Sequence, residues 1–175
     1  MNLDEYDLFR TNKCSLRECS RDDSKPDHVQ YMTDSMLNVV NFDMVKRKYT
    51  NGLGHSEDDA ASVDTLMQRG KDVVFVEFKN GKVNNRNLND KIRDSLLIFL
   101  DITGEKLSDM RDHAIFILVS NEKDNQSKHQ IGNTFMRKGG QELVLHGVEK
   151  WETLYFQEVH TYNKSEFADY LNEKQ

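Results

Sequence analysis

The sequence predicts an α/β fold, a mixed central sheet flanked by helices, on three observations. Two stretches of strand-like composition meet at Arg69-Gly70 as a hairpin, and the apolar period then lengthens to that of a helix from about Arg86 to Thr103. "HAIFILVS" (His113–Ser120) follows as a short run rich in β-branched residues, which suits a buried strand. The order helix, hairpin, helix, strand, helix is that of a layered α/β domain.

Residues 1–32 show no clear period, and "SRDDSKPDH" reads as a loop because Pro26 and its Asp and Ser neighbours favour turns. "DSMLNVVNFDMVKRKY" (Asp34–Tyr49) predicts a first helix. It offers Asp34 or Ser35 as N-cap, apolar residues at Met36, Val40 and Met44, basic residues at its end and a stop at Asn51-Gly52. Val39, Val40 and Phe42 also suit a strand. After the polar connection "GLGHSEDDAA" come two strands, about 61–68 and 72–79, closed by the turn signal Asn80-Gly81. In the helix that follows, Leu88, Ile92, Leu96, Phe99 and Ile102 recur at steps of four and three, one apolar stripe. A short helix before Gly139-Gly140, a strand near "TLYFQEVHTY" and a helix from about Ser165 complete the reading, with Trp151, Tyr155 and Phe156 assigned to the core.

The 175 residues fit one domain: a poorly patterned segment over 1–32, a core over 34–120 and a C-terminal extension over 121–175. No basic stretch leads into an apolar one at the N-terminus, and strongly apolar runs such as "LLIFL" are far too short for a bilayer, so a soluble, cytoplasmic protein without membrane contact is expected. Cys14 and Cys19 match neither a CxxC pair nor half of a zinc site, and are read as two free thiols. The six histidines form no HxH or HExxH pair, and no P-loop, GxSxG or GxGxxG sequence occurs. Net charge is −6, which argues against coating nucleic acid with the whole surface. Between Arg69 and Arg93, however, seven Lys/Arg stand against three Asp/Glu, so this window is +4 and the remainder −10. The window is either a phosphate-binding face or a solvated rim.

Side chains alternate along a strand, so Glu77 and Lys79 share one face with Val73 and Phe75. An even hairpin loop brings Asp64 to that face as well. A two-residue loop at Arg69-Gly70 makes it diagonal to Glu77, and a four-residue loop, 69–72, sets it directly opposite; an odd loop separates the acids. Two carboxylates on a mostly apolar sheet repel and need a neutralising cation. Mg²⁺ or Mn²⁺ suits oxygen ligands: Asp64, Glu77 and the Phe78 carbonyl between the acid and the amine. Lys79 could orient a water or neutralise charge developing on a phosphodiester. A Glu-x-Lys tripeptide alone is more often a solvated strand end; the upstream Asp, the apolar strand and the basic following helix favour a site.

With "SVDTL" supplying Asp64 and "FVEFKNG" supplying Glu77 and Lys79, the chain resembles the PD-(D/E)XK, or restriction-endonuclease-like, nuclease superfamily over about residues 34–120. The resemblance implies an αβββαβ core, a divalent metal and cleavage of nucleic acid, DNA before RNA. It adds Lys91, on the helix after the motif, as a further catalytic candidate, with Asp34 or Asp43 and the acids Glu57, Asp58 and Asp59 as accessory carboxylates. Val63 stands where many members have Pro, and no strand pattern is evident between Tyr49 and Ala60, where the first core strand is expected. The competing expectation is a non-catalytic acidic protein, an immunity or inhibitor protein or an inactive nuclease-like fold, binding a protein partner through the −10 surface.

Overall fold

The computed structural model describes residues 1–22, 29–121 and 144–173. Its strands are β1 (Lys13–Ser15), β2 (Arg21–Asp22), β3 (Gln30–Tyr31), β4 (Asn38–Asn41), β5 (Thr65–Arg69), β6 (Asp72–Lys79), β7 (Ala114–Ser120) and β8 (Glu158–Tyr162). Six of them form a mixed sheet in the order β1-β4-β5-β6-β7-β8. From β1 to β6 each neighbour is antiparallel; β6, β7 and β8 run parallel. Strands β2 and β3 make a separate two-stranded ribbon.

The parallel pair β6 and β7 needs a crossover, supplied by α4 (Asn85–Thr103) and a further short helix, α5 (Leu107–His113), that the sequence pattern does not announce. Asn84 starts α4 by accepting the N–H groups of Arg86 and Asn87, and Gly104, at φ +70°, ends it in the left-handed region. Leu88, Ile92, Leu96 and Phe99 are buried in one core layer with Leu66, Val73, Phe75, Phe116 and Leu118, while Ile102 packs at its margin. Phe75 anchors this layer, its ring 5.3 Å from Phe99 and 5.5 Å from Phe156. The opposite sheet face carries Val74, Val76, Phe78, Ile115, Ile117 and Val119, covered by Leu16 of α2 (Leu16–Cys19) and Phe167 of α6 (Lys164–Glu173). With both faces covered, β6 is buried from Val73 to Phe78, as a central strand must be.

The structure revises four sequence expectations. The predicted helix over Asp34–Tyr49 is a strand followed by a helix: Val39 and Val40 pair with Cys14 and Lys13, and α3 (Phe42–Gly52) begins where the Asn41 side chain accepts the Met44 N–H. Both readings of that segment hold, in succession, with Asn41 rather than Asp34 or Ser35 as N-cap. The strand neighbouring β5 is therefore β4, which precedes α3; between Tyr49 and Ala60 there is instead the end of α3 and a 3-10 turn at Glu57–Asp59. The strand expected from Ala61 starts only at Thr65. The N-terminal segment is packed despite its weak pattern: α1 (Asp7–Arg10) presents Phe9, stacked 5.7 Å from Phe99, and Leu3, Leu16 and Met32 are buried. The short helix expected before Gly139-Gly140, and Pro26 with its loop from residue 23, lie outside the described residues. Among those described, no helix is long and apolar enough to cross a membrane.

Candidate functional site

The hairpin register decides whether the acids meet. Arg69 pairs with Asp72 and Gln68 with Val73, so the loop is Gly70-Lys71, an even one, with Gly70 at φ +60°. Continuing this ladder one step past Thr65 and Val76 sets Asp64 opposite Glu77, the direct pairing anticipated for a four-residue loop and reached here by two. At Asp64 the ladder stops being backbone to backbone. The Asp64 carbonyl accepts the Phe42 N–H at 3.1 Å, and its carboxylate Oδ2 accepts the Phe78 N–H at 2.6 Å. A side chain thus replaces a carbonyl as the acceptor, and the two strands part at the carboxyl end of β6.

Glu77 points to the face covered by α4 and is fully buried. A buried carboxylate is tolerated only with strong partners, and it has two. Lys91 Nζ, from α4, donates to Oε1 at 2.8 Å and Oε2 at 3.1 Å. Lys79 Nζ, one pleat along β6, lies 2.8 Å from Oε1. Lys91 Nζ is also 3.6 Å from Asp64 Oδ1, an electrostatic contact too long for a hydrogen bond. The structure therefore brings together Asp64, Glu77, Lys79 and Lys91.

Burial pushes the Asp64 carboxyl well above the usual carboxylate range, the neighbouring Glu77 and Asp43 charges push the same way, and the Lys91 ammonium and Phe78 N–H oppose them. Burial favours a neutral Lys91 amine, yet Glu77, Asp64 and Asp43 together outweigh it and hold the ammonium above its ordinary value. Asp43, in the first turn of α3, is thus the accessory acid nearest in effect, and its Oδ1 accepts the Ser62 hydroxyl at 2.5 Å. Asp34 is exposed beside Arg17, Glu57 pairs with Arg47, Asp59 lies 3.3 Å from His55 Nδ1, and Asp58 is exposed.

Asp64, Phe78 and Lys79 also line a cavity of about 300 Å³ at the fork, walled by Cys19, Arg21, Asp22 and Met32. The sequence reading missed this wall, because β2 and α2 span two and four residues and such short elements leave no period. Asn80, read only as a turn residue, ties the wall down: its amide donates to Asp22 Oδ2 and Gln30 Oε1, both at 2.9 Å, and its carbonyl accepts from Asn121 at 2.8 Å.

Among the described residues no group of three or more His, Cys, Asp or Glu gathers where a metal could sit. The oxygen set at the fork is smaller: the Asp64 and Glu77 carboxylates and the Phe78 carbonyl. A strand residue directs its N–H and C=O to the same edge, and the Phe78 N–H faces Asp64, so its carbonyl does too. Such a set fits Mg²⁺ or Mn²⁺, which accept one or two carboxylates and fill the remaining positions with water or phosphate oxygens. It does not fit zinc, which takes nitrogen and sulfur ligands or a fuller protein set. No family model matches the chain, and no curated protein or solved structure matches it.

Proposed function

We propose that the chain is a Mg²⁺- or Mn²⁺-dependent phosphodiesterase of restriction-endonuclease-like type, cleaving nucleic acid, DNA before RNA, in the cytoplasm, where free thiols such as Cys14 and Cys19 persist. One observation carries the reading: two carboxylates and two ammonium groups converge at the carboxyl end of β6, beside a cavity that reaches solvent. Carboxyl ends of parallel strands are the usual place for ligands in open α/β sheets. The antiparallel run β4-β5-β6, followed by β7 through a helical crossover, supports the fold half of the proposal. The position of β4 before α3 departs from the αβββαβ order.

Asp64, Glu77 and the Phe78 carbonyl would hold the metal, which supplies a more acidic water and charge neutralisation at a phosphodiester. Lys91 keeps the buried Glu77 neutralised in the absence of a divalent cation, and its four-carbon stem lets the ammonium swing from carboxylate to phosphate. Lys79, about a quarter exposed, offers a second cation toward charge developing on the phosphate. Nicking of supercoiled plasmid with Mg²⁺ or Mn²⁺ tests this. Wild type is expected to cleave, and Glu77→Ala and Lys79→Ala to lose at least about 10² of the rate, the loss common for an electrostatic group in the transition state.

A second reading is favoured by the closure of the ion-pair cluster: Glu77 already has two ammonium partners, and among the described residues no third acid completes a metal-binding group with it. On this reading the cluster is structural and the chain is a non-catalytic acidic protein that binds a basic protein partner. The same assay separates the two, since silence with every metal and with single-stranded, duplex and RNA substrates supports the second.

A further inference from the structure

Cys14, in β1, and Cys19, closing α2, are both free thiols with their sulfurs 2.7 Å apart. That is inside the roughly 3.5–4.0 Å at which unbonded heavy atoms pack and beyond the roughly 2.05 Å of a covalent S–S bond. The backbone fixes this approach. Cys14 pairs with Val39 across the sheet, the Ser15 side chain accepts the Glu18 N–H to cap α2, and Leu16 and Arg17 each donate an N–H at 2.8 Å, to the Leu37 and Ser35 carbonyls. The Asn41 side-chain amide lies 3.7 Å from the Cys14 sulfur, a donor suited to a thiolate there. Cys19 stands in the cavity wall with Asp64.

We propose that Cys14 and Cys19 are a reversible dithiol–disulfide modification site in the wall of the cavity beside Asp64, oxidised by hydrogen peroxide and reset by a small thiol. The Cys14 thiolate attacks the peroxide, forming an S–O bond as the O–O bond breaks and hydroxide leaves with a proton as water. The Cys19 sulfur then attacks the sulfenic sulfur of Cys14, and the oxygen departs as a second water. Two thiols have given two electrons and two protons, one peroxide has become two waters, and one S–S bond has formed. Two equivalents of a monothiol such as glutathione reverse it by exchange, leaving both cysteines reduced and one glutathione disulfide. Closure pins α2 to β1 and removes the Cys19 proton from the cavity wall. None of this depends on the nuclease reading.

Trypsin cuts between the two cysteines at Arg17, so a disulfide joins the peptides Cys14–Arg17 and Glu18–Arg21. After mild peroxide treatment of the whole native protein, non-reducing peptide mapping should find this pair in most chains, with the intact mass lower by two hydrogens and restored by glutathione. The pair should form about tenfold or more faster than in concentrated urea, the gain of a prepositioned couple. In Cys19→Ser, a sulfenic-acid trap should label Cys14. Separate sulfinic products on the wild-type cysteines without the linked pair, a linkage between different chains, or equal rates in native and urea-treated protein would each overturn the proposal.

Discussion

Lys91 Nζ donates to both carboxylate oxygens of Glu77, at 2.8 and 3.1 Å, and thereby joins α4 to the one fully buried acid of the central strand. The pair is at once a packing device and the centre of the candidate site. Lys91→Met keeps the length of the stem and leaves Glu77 with Lys79 alone. Breaking a buried pair from one side costs about 3–5 kcal/mol, because a charge is left behind. Urea titration should show that loss, and Glu77→Gln combined with Lys91→Met should recover most of it. A loss near zero for the single variant would mean that Glu77 relies on Lys79 and that Lys91 is decoration.

Asp64 should destabilise the fold at neutral pH. Its carboxyl titrates well above the ordinary range, so between the unfolded value and the native one the folded chain keeps a proton that the unfolded chain has released. Stability therefore falls as pH rises through that window, the sign required by linkage when the native state binds more protons. Asp64→Asn retains an oxygen for the Phe78 N–H and removes the charge. Thermal melts at pH 7 should show it more stable than wild type by about 0.5–2 kcal/mol, the gain common when a functional site is relieved, with a flatter acid-side pH profile. A lower melting temperature with an unchanged profile would show that the charge is welcome where it stands.

Asn80 should govern the wall of the cavity and little else. Its side chain links β6 to Asp22 of β2, Gln30 of β3 and Asn121 beyond β7. Asn80→Ala removes three hydrogen bonds at a partly exposed position, each worth about 0.5–1.5 kcal/mol net. Hydrogen exchange should accelerate at Asp22 and Met32 while Val74 and Val76, deep in the sheet, keep their protection. Uniform loss of protection across both regions would show that the ribbon and the sheet open as one unit.

How much of this was legible in the sequence varies with element length. The strand 72–79, the stripe of α4 and the strand from Ala114 are long enough for a period to emerge, and they appear nearly where the pattern put them. The alternation of side chains makes the meeting of Asp64 and Glu77 conditional on an even hairpin loop, and the register Arg69↔Asp72 meets that condition. The loop length itself is not legible, because Arg69 and Asp72 pair where a wider turn is equally consistent with their chemistry. At Asp34–Tyr49 a four-residue strand and an eleven-residue helix adjoin without a glycine or proline between them, and only the cap at Asn41 marks the join. Residues 1–22 pack through single side chains, Leu3, Phe9 and Leu16, held by tertiary contacts that no local pattern encodes. Lys91 lies on α4, the helix after the motif, and its grip on Glu77 joins residues of separate elements, which no local pattern encodes.

On the proposed function, Asp64 and Glu77 would form one divalent-cation site, with Lys91 as the competing cation. Calorimetric titration of Mn²⁺ into wild type, Asp64→Asn and Lys91→Met tests it without any substrate. One ion should bind per wild-type chain, binding should vanish in Asp64→Asn, and Lys91→Met, if folded by circular dichroism, should bind several-fold more tightly. No heat in wild type, or the same affinity in wild type and Asp64→Asn, would contradict the account.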